Sequence, residues 1–97
     1  SYSNFPNPFA AGRAATTFVF ALPAPGRVSL RVFTPRGEPV RTLLDGEERA
    51  AGLHQDVVWD GRNGQGDVVR NGVYVAEIVV RSVDGAVTLR RNVAVVR

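Results

Sequence analysis

Short valine-rich runs in which apolar and polar residues alternate follow one another along the chain, broken by Gly, Pro and Asp. No stretch of ten or more residues carries helical periodicity, so strand is the expected element throughout. From Thr16 to Leu22 one face takes Thr16, Phe18, Phe20 and Leu22 and the other takes Thr17, Val19 and Ala21. Pro23-Ala24-Pro25-Gly26 ends that strand, and Arg27–Thr34 follows. There Val28, Leu30 and Val32 point inward while Arg27, Ser29 and Arg31 point to water, the alternation of a sheet with one wet face. Pro35-Arg36-Gly37-Glu38 has turn chemistry, Val40–Leu44 makes a short strand, and Asp45–Gly52 is expected to be an acidic loop. Leu53–Trp59 is the next strand, followed by a Gly-rich loop from Asp60 to Gly66. Gly72–Ser82 is apolar on both faces, with Val73, Val75 and Val79 on one and Tyr74, Ala76, Ile78 and Val80 on the other. That pattern predicts a central strand covered on both sides. Asp84-Gly85 signals a two-residue hairpin, and Ala86–Val96 returns as the last strand.

Ahead of these strands, Ser1–Phe9 contains Pro6 and Pro8, which fix the backbone and bias the preceding residues to extended conformations. This segment is expected to be an extended lead-in rather than a central strand, anchored along the domain by Tyr2, Phe5 and Phe9. About six or seven strands at a spacing of roughly 10–12 residues predict an all-β antiparallel β-sandwich, with a small closed barrel as the alternative. The chain has 97 residues and a mass of 10.5 kDa, the size of one domain. It divides into a lead-in at 1–9 and a sandwich at 14–97. Area scaling leaves roughly 5,400 Å² exposed after folding, enough burial for one core but not for a core and a deep cleft.

Residue usage narrows the chemistry. The chain is 44% apolar and 22% charged, as a globular domain is, and no run of apolar residues is long enough to span a membrane as a helix. No basic-then-apolar leader stands at Ser1, so any such segment is expected to have been removed or to lie upstream. There is no Cys, which excludes disulfides, thiolate metal sites and Cys nucleophiles. There is no Met, so Ser1 is expected to be a processed or excised start. All twelve basic residues are Arg, which excludes lysine Schiff-base chemistry.

The net charge of +3 and a pI near 10.6 raise the question of an acidic partner. Arg27, Arg31, Arg81, Arg90 and Arg91 lie on or near strands, where Arg solvates a sheet face and guards its edges. A nucleic-acid surface would instead interleave aromatics with the basic residues on an open face, so nucleic acid is not an expected partner. An acidic surface polysaccharide fits the charge better.

Each candidate site has a structural reading beside it. His54 is the only histidine and has no obvious catalytic partner, and none of Ser1, Ser3, Ser29 and Ser82 sits in a nucleophile elbow. Asp45, Glu47 and Glu48 share one segment rather than facing each other across a cleft, as a glycosidase pair must. In Asp60–Asp67, Asp60, Asn63 and Asp67 offer oxygens that could suggest calcium, but Arg62 and Gly64 stand where an EF-hand loop places ligands. No metal or organic cofactor is expected, and the chain is expected not to be an enzyme.

Several segments in order carry a resemblance: Asn4-Phe5-Pro6-Asn7-Pro8-Phe9; Thr16-Thr17-Phe18 leading to Leu22-Pro23; Val32-Phe33 through Gly37 to Val40-Arg41-Thr42-Leu43; and Ala51-Gly52-Leu53-His54, Trp59-Asp60-Gly61-Arg62-Asn63, Gly66, Val69 and Asn71-Gly72-Val73-Tyr74. Together they are similar to the Ig-like domain of the flagellar hook-capping protein (FlgD-like) and to the type A C-terminal sorting domains of the type IX secretion system. The resemblance implies a seven-stranded Ig-like sandwich with a non-catalytic role in bacteria, outside the cell or at its surface. It would be a C-terminal secretion, sorting and surface-anchoring domain recognised by the export machinery. The alternative is a self-assembling subunit of a filament or hook-cap-like scaffold, whose identical copies join by strand addition through Ser1–Phe9 or Thr88–Val96. In that case Ser1–Phe9 would be dispensable for the sandwich itself.

The resemblance assigns structural roles to Pro6, Asn7, Pro8, Phe9, Trp59, Asp60, Gly61, Gly72 and Tyr74. Read from the residues, Trp59 shares a face with Val57 as the largest core candidate, and the Asp60 carboxylate can accept from loop N–H groups where Gly61 turns the chain. Gly72 suits a positive φ or a close backbone approach. Sorting domains often end in a Lys-rich strand, so Arg90, Arg91 and Arg97 are the docking candidates here. The five residues from His54 to Trp59 would put the two on opposite faces of a regular strand, which predicts a bulge between them.

Overall fold

The computed structural model describes all residues, Ser1–Arg97, as two sheets packed face to face. The strands are β1 (Tyr2–Phe5), β2 (Phe9–Ala10), β3 (Thr16–Leu22), β4 (Gly26–Phe33), β5 (Pro39–Arg49), β6 (Gly52–Trp59), β7 (Gly72–Ser82) and β8 (Gly85–Val96). The smaller sheet runs β1-β3-β6 and the larger β2-β8-β7-β4-β5. The fold is thus the all-β sandwich that the alternation predicts, with eight strands rather than seven and with β2 paired parallel to β8.

The N-terminal segment supplies two strands beyond the six runs named above. β1 pairs with β3 in the small sheet, and β2 pairs with the end of β8 in the large one, so this stretch crosses from one layer to the other. Both X-Pro peptides of the crossover, Phe5-Pro6 and Asn7-Pro8, are cis. Tyr2 and Phe9 are buried, whereas Phe5, expected as a third anchor, is 79% exposed. Alternation explains it: Phe5 stands an odd number of residues from Tyr2 and so points off the opposite face.

The core lies between the sheets. Phe18, Phe20, Leu22, Val57 and Trp59 from the small sheet meet Val28, Leu30, Val32, Leu44, Ala76, Ile78, Val93 and Val95 from the large one. Thr16 is the one buried polar residue, and its Oγ1 accepts a hydrogen bond from Asn4 Nδ2 at 2.9 Å. The folded surface of 5735 Å² is close to the area-scaling expectation.

Three sequence expectations change. The segment Asp45–Arg49, expected as a loop, continues strand β5. Its charges are satisfied across the strand pair, Arg31 to Asp45 at 2.6 Å and Arg27 to Glu48 at 3.4 Å, so polarity here marks an exposed edge strand rather than a turn. Gly46, at φ +64°, forms a bulge with Asp45 opposite Ser29, and its N–H donates to Ser29 Oγ at 2.9 Å. Second, β7 is central between β4 and β8, but only its inner face is covered; Val73 is 48% exposed. β-Branched residues there serve strand geometry as much as burial. Third, Ser1–Phe9 is part of the sandwich rather than a lead-in beside it, because it carries two core side chains, the whole of β1 and the first residue of β2.

The bulge between His54 and Trp59 is present. Phe20 pairs with His54 and Phe18 with Val57, so Gln55 and Asp56 together oppose Val19. The extra residue brings His54 to the inner side with Trp59, where its ring stacks on Phe20 at 5.2 Å.

Replacing Phe9 by Ala is expected to cost about 3–5 kcal/mol, and removing residues 1–10 to prevent cooperative folding; urea denaturation followed by Trp59 fluorescence measures both.

Candidate functional site

The motif residues converge on one end of the sandwich. Phe9 packs edge-on against Trp59 at 5.5 Å between ring centres, and Trp59 packs edge-on against Tyr74 at 5.8 Å. Trp59 is fully buried, and its Nε1–H donates to the Arg62 carbonyl oxygen at 2.9 Å, which satisfies its one polar group. Tyr74 Oη donates to the Arg70 carbonyl oxygen at 2.7 Å, a tie from the start of β7 back to the loop before it, as in the tyrosine corner of Ig-like sandwiches.

Asp60 organises the loop after β6. Its Oδ1 accepts from the Arg62 N–H at 3.0 Å and from Arg41 Nη1 at 3.2 Å. Gly61 has φ +79°, and a Cβ there would overlap the Ala11 side chain. The close approach seats Ala10–Gly12 against the loop, where the Gly12 N–H donates to the Asp60 carbonyl oxygen at 3.0 Å. Gly72 opens β7 at φ +155° and pairs with Val95.

Asn7 does what no spacing in the sequence indicates. Its Nδ2 donates to the Asn92 carbonyl oxygen at 3.0 Å, and its Oδ1 accepts from the Ala94 N–H at 2.8 Å. The side-chain amide thus stands in for a strand along the outer edge of β8, and β2 continues the same line at Val95 and Val96. Pro6 and Pro8, exposed on either side, flank Asn7 in a crossover that is bent rather than extended as expected.

The docking arginines do not form one patch. Arg90 and Arg91 are successive residues on a strand and point to opposite faces. Arg90 pairs with Glu77 at 2.8 Å on the outer face. Arg91 turns inward; its Nε donates to the Tyr2 carbonyl oxygen at 2.9 Å, and its guanidinium lies 5.8 Å from the centre of the Tyr2 ring. Arg97 is exposed beyond the other end of β8.

The remaining candidates have structural partners. His54 Nε2–H donates to the Ala50 carbonyl oxygen at 2.7 Å, which leaves Nδ1 to accept from Arg49 Nη1 at 3.4 Å. Arg49 also bridges Glu47 at 2.6 Å and Asp56 at 2.7 Å, and its hydrogen bond holds the Asp56 carboxyl below the usual carboxylate range. In Asp60–Asp67, Asn63 Oδ1 accepts from the N–H groups of Gln65 and Asp67, while Asp60 faces two guanidinium groups. Those oxygens are committed to the loop itself rather than gathered round a cation.

At the opposite end the large sheet runs past the small one. Residues Gly85–Asn92 of β8 are exposed, and beneath them lies an apolar groove of about 320 Å³ whose walls include Phe20, Leu22, Ile78, Val80, Val87 and Leu89. The sequence reading missed this groove because it arises from the offset between two sheets, which no single strand pattern encodes.

Gly61→Ala is expected to cost about 2–4 kcal/mol from positive φ and overlap with Ala11, whereas Gly64→Ala, whose Cβ would meet only the Val40 carbonyl oxygen in ordinary contact at 3.9 Å, stays within about 0.5 kcal/mol; chemical denaturation separates the two. Burial pushes the Tyr2 hydroxyl well above its ordinary value, and burial raises Tyr74 as well. The unfolded chain then ionises first, so these groups add stability that is full below about pH 10 and is lost as the pH rises above it. With no Lys and no Cys present, the two tyrosines are the side chains that titrate there. Unfolding midpoints measured from pH 9 upward (about 9 to 11.5) should fall, and Tyr2→Phe should flatten the fall.

No protein-family model matches the sequence, and no curated protein does. Several solved structures are similar, two of them as follows. FlgD from P. aeruginosa superposes with a TM-score of 0.66 at 25% identity, over 84% of this chain and 63% of that one. Dimeric latent PorU from Porphyromonas gingivalis superposes with a TM-score of 0.74 at 22% identity, over 98% of this chain and 9% of that one. The chain therefore spans less than two thirds of either. By fold it is an Ig-like sandwich of the FlgD kind, and the PorU chain contains the same fold.

Proposed function

We propose that this chain is a non-catalytic extracellular module that acts as a C-terminal secretion, sorting and surface-anchoring domain of a bacterial cargo protein. The observation that carries the reading is one of scale. The same fold matches 98% of this chain and only 9% of the PorU chain, so in that protein it is one small module of a long polypeptide. The chemistry agrees with a binding role. His54 is held by Ala50 and Arg49, the acidic side chains of β5 face arginines, and the motif residues knit the fold together. The partner is then a protein of the export machinery, and an acidic polysaccharide at the cell surface is a second contact. The runner-up, a scaffold subunit that self-assembles by strand addition, loses one of its two routes, because β1 and β2 are already paired and their buried side chains belong to the core.

The test is a fusion. Ser1–Arg97 is placed after a reporter that carries a periplasmic export signal, in a bacterium with type IX secretion. The expected outcome is reporter at the cell surface or in the medium. Intact, folded fusion retained in the periplasm overturns the reading, and polymers of the bare domain would favour the scaffold.

A further inference from the structure

The two long edges of the large sheet are built differently. β5 carries the devices that discourage pairing: Pro39, three register shifts against β4, and alternating charge. Eleven of the twelve residues of β8 run against β7 without a shift, and the strand has no Pro. Its outward backbone groups are those of the even-numbered residues, since Asn92 and Ala94 meet Asn7 and Val96 accepts from Ala11. Beyond the reach of Asn7, the N–H groups of Ala86, Thr88 and Arg90 and the carbonyls of Ala86 and Thr88 have no partner strand. On the inner face of this same window, Val87 is 59% and Leu89 37% exposed above the apolar groove.

We propose that this window of β8 pairs with the same window of a second copy of the chain, antiparallel about a twofold axis through Thr88. The register is self-complementary. Thr88 faces Thr88 of the second copy as a hydrogen-bonded pair, and Ala86 faces Arg90, all of them residues whose backbone groups point outward. Val87 then opposes Leu89 on the inner face, which makes an apolar pair on each side of the axis and joins the two grooves. Arg91, the one charged side chain of β8 without a carboxylate partner, falls opposite Gly85 and beside Asp84, whose side chain lines the groove and has no ion pair of its own. The overlap is limited to the free window, because the next residue of the second copy would meet Asn92, where Asn7 already sits. A twofold contact of this kind closes on itself, so it yields a dimer rather than a filament. The pairing is independent of the sorting role and stands or falls separately.

Cysteine pairing reads the register, because the chain has no cysteine of its own. Thr88→Cys places the two thiols on the axis, with Cα atoms about 5.5 Å apart, within disulfide reach. Under mild oxidation it should form a disulfide dimer far faster than Ala86→Cys, whose two copies lie on opposite sides of the axis. Sedimentation of the unmodified chain should show its mass rising from one chain towards two with concentration. Val87→Lys and Thr88→Pro, both at exposed positions that leave the β7 ladder intact, should hold it at one chain, with an unfolding midpoint that matches the unmodified chain at dilutions where that too is a single chain. A chain that stays monomeric at every concentration, or equal crosslinking of the two cysteine variants, overturns the proposal.

Discussion

Trp59 is the piece on which the two sheets depend. It sits at the end of β6, fully buried, with Phe9 on one side and Tyr74 on the other. Those three rings come from the small sheet, the crossover segment and the large sheet, so one contact fixes the sheets at that end. The indole N–H reaches the Arg62 carbonyl, which forces the following loop to fold back over the ring. Asp60, Gly61 and Arg41 then follow from that demand: a carboxylate to gather the loop, a residue without a side chain where Ala11 presses in, and a guanidinium that neutralises the carboxylate and also donates to the Arg62 carbonyl at 3.0 Å. The motif residues belong together because they solve one packing problem.

Fixing that end leaves the other to find its own length. The large sheet has longer strands than the small one, so β7 and β8 continue after the small sheet stops. The molecule is accordingly elongated, 40 × 23 × 20 Å. Apolar side chains that alternate towards the core at Ile78 keep alternating at Val80, Val87 and Leu89, where cover thins out. Arg91 marks the boundary. Its aliphatic stem and planar head close the gap beside Tyr2, and beyond it the inner face opens as a groove.

Much of this was legible in the sequence, and the exceptions share a cause. Period-two alternation places β3, β4, β6 and the strands of the β7–β8 hairpin, whose two-residue turn is Val83-Asp84 rather than Asp84-Gly85, and an odd spacing between His54 and Trp59 announces the bulge. Those signals are local: each depends on which face of one strand a residue occupies. Asp45–Arg49 misled because an edge strand with both faces wet has no alternation to show, and Asp and Gly look like turn residues until Arg27 and Arg31 are seen across the ladder. The pattern of Gly72–Ser82 implies cover on both faces because alternation cannot tell a second layer from a preference for β-branched residues. The Asn7 clamp and the groove were illegible for a deeper reason. Asn7 is separated from Asn92 and Ala94 by almost the whole chain, and the groove exists only because two sheets differ in length.

The arginines show how far composition can mislead about partners. Across the outer face of the large sheet, Asp45 bonds Arg31, Arg31 is in register with Glu77, and Glu77 bonds Arg90. The sign alternates from strand to strand, so this row of charges presents no continuous positive field despite the high pI. Each guanidinium instead ties neighbouring strands where they are wettest. Arg41 and Arg62 spend their charge on Asp60, and Arg49 on Glu47 and Asp56. Alternation of this kind makes a surface that repels neither itself nor its surroundings strongly. On such a domain the informative arginine is the one that lacks a carboxylate beside an open edge, and on β8 that residue is Arg91.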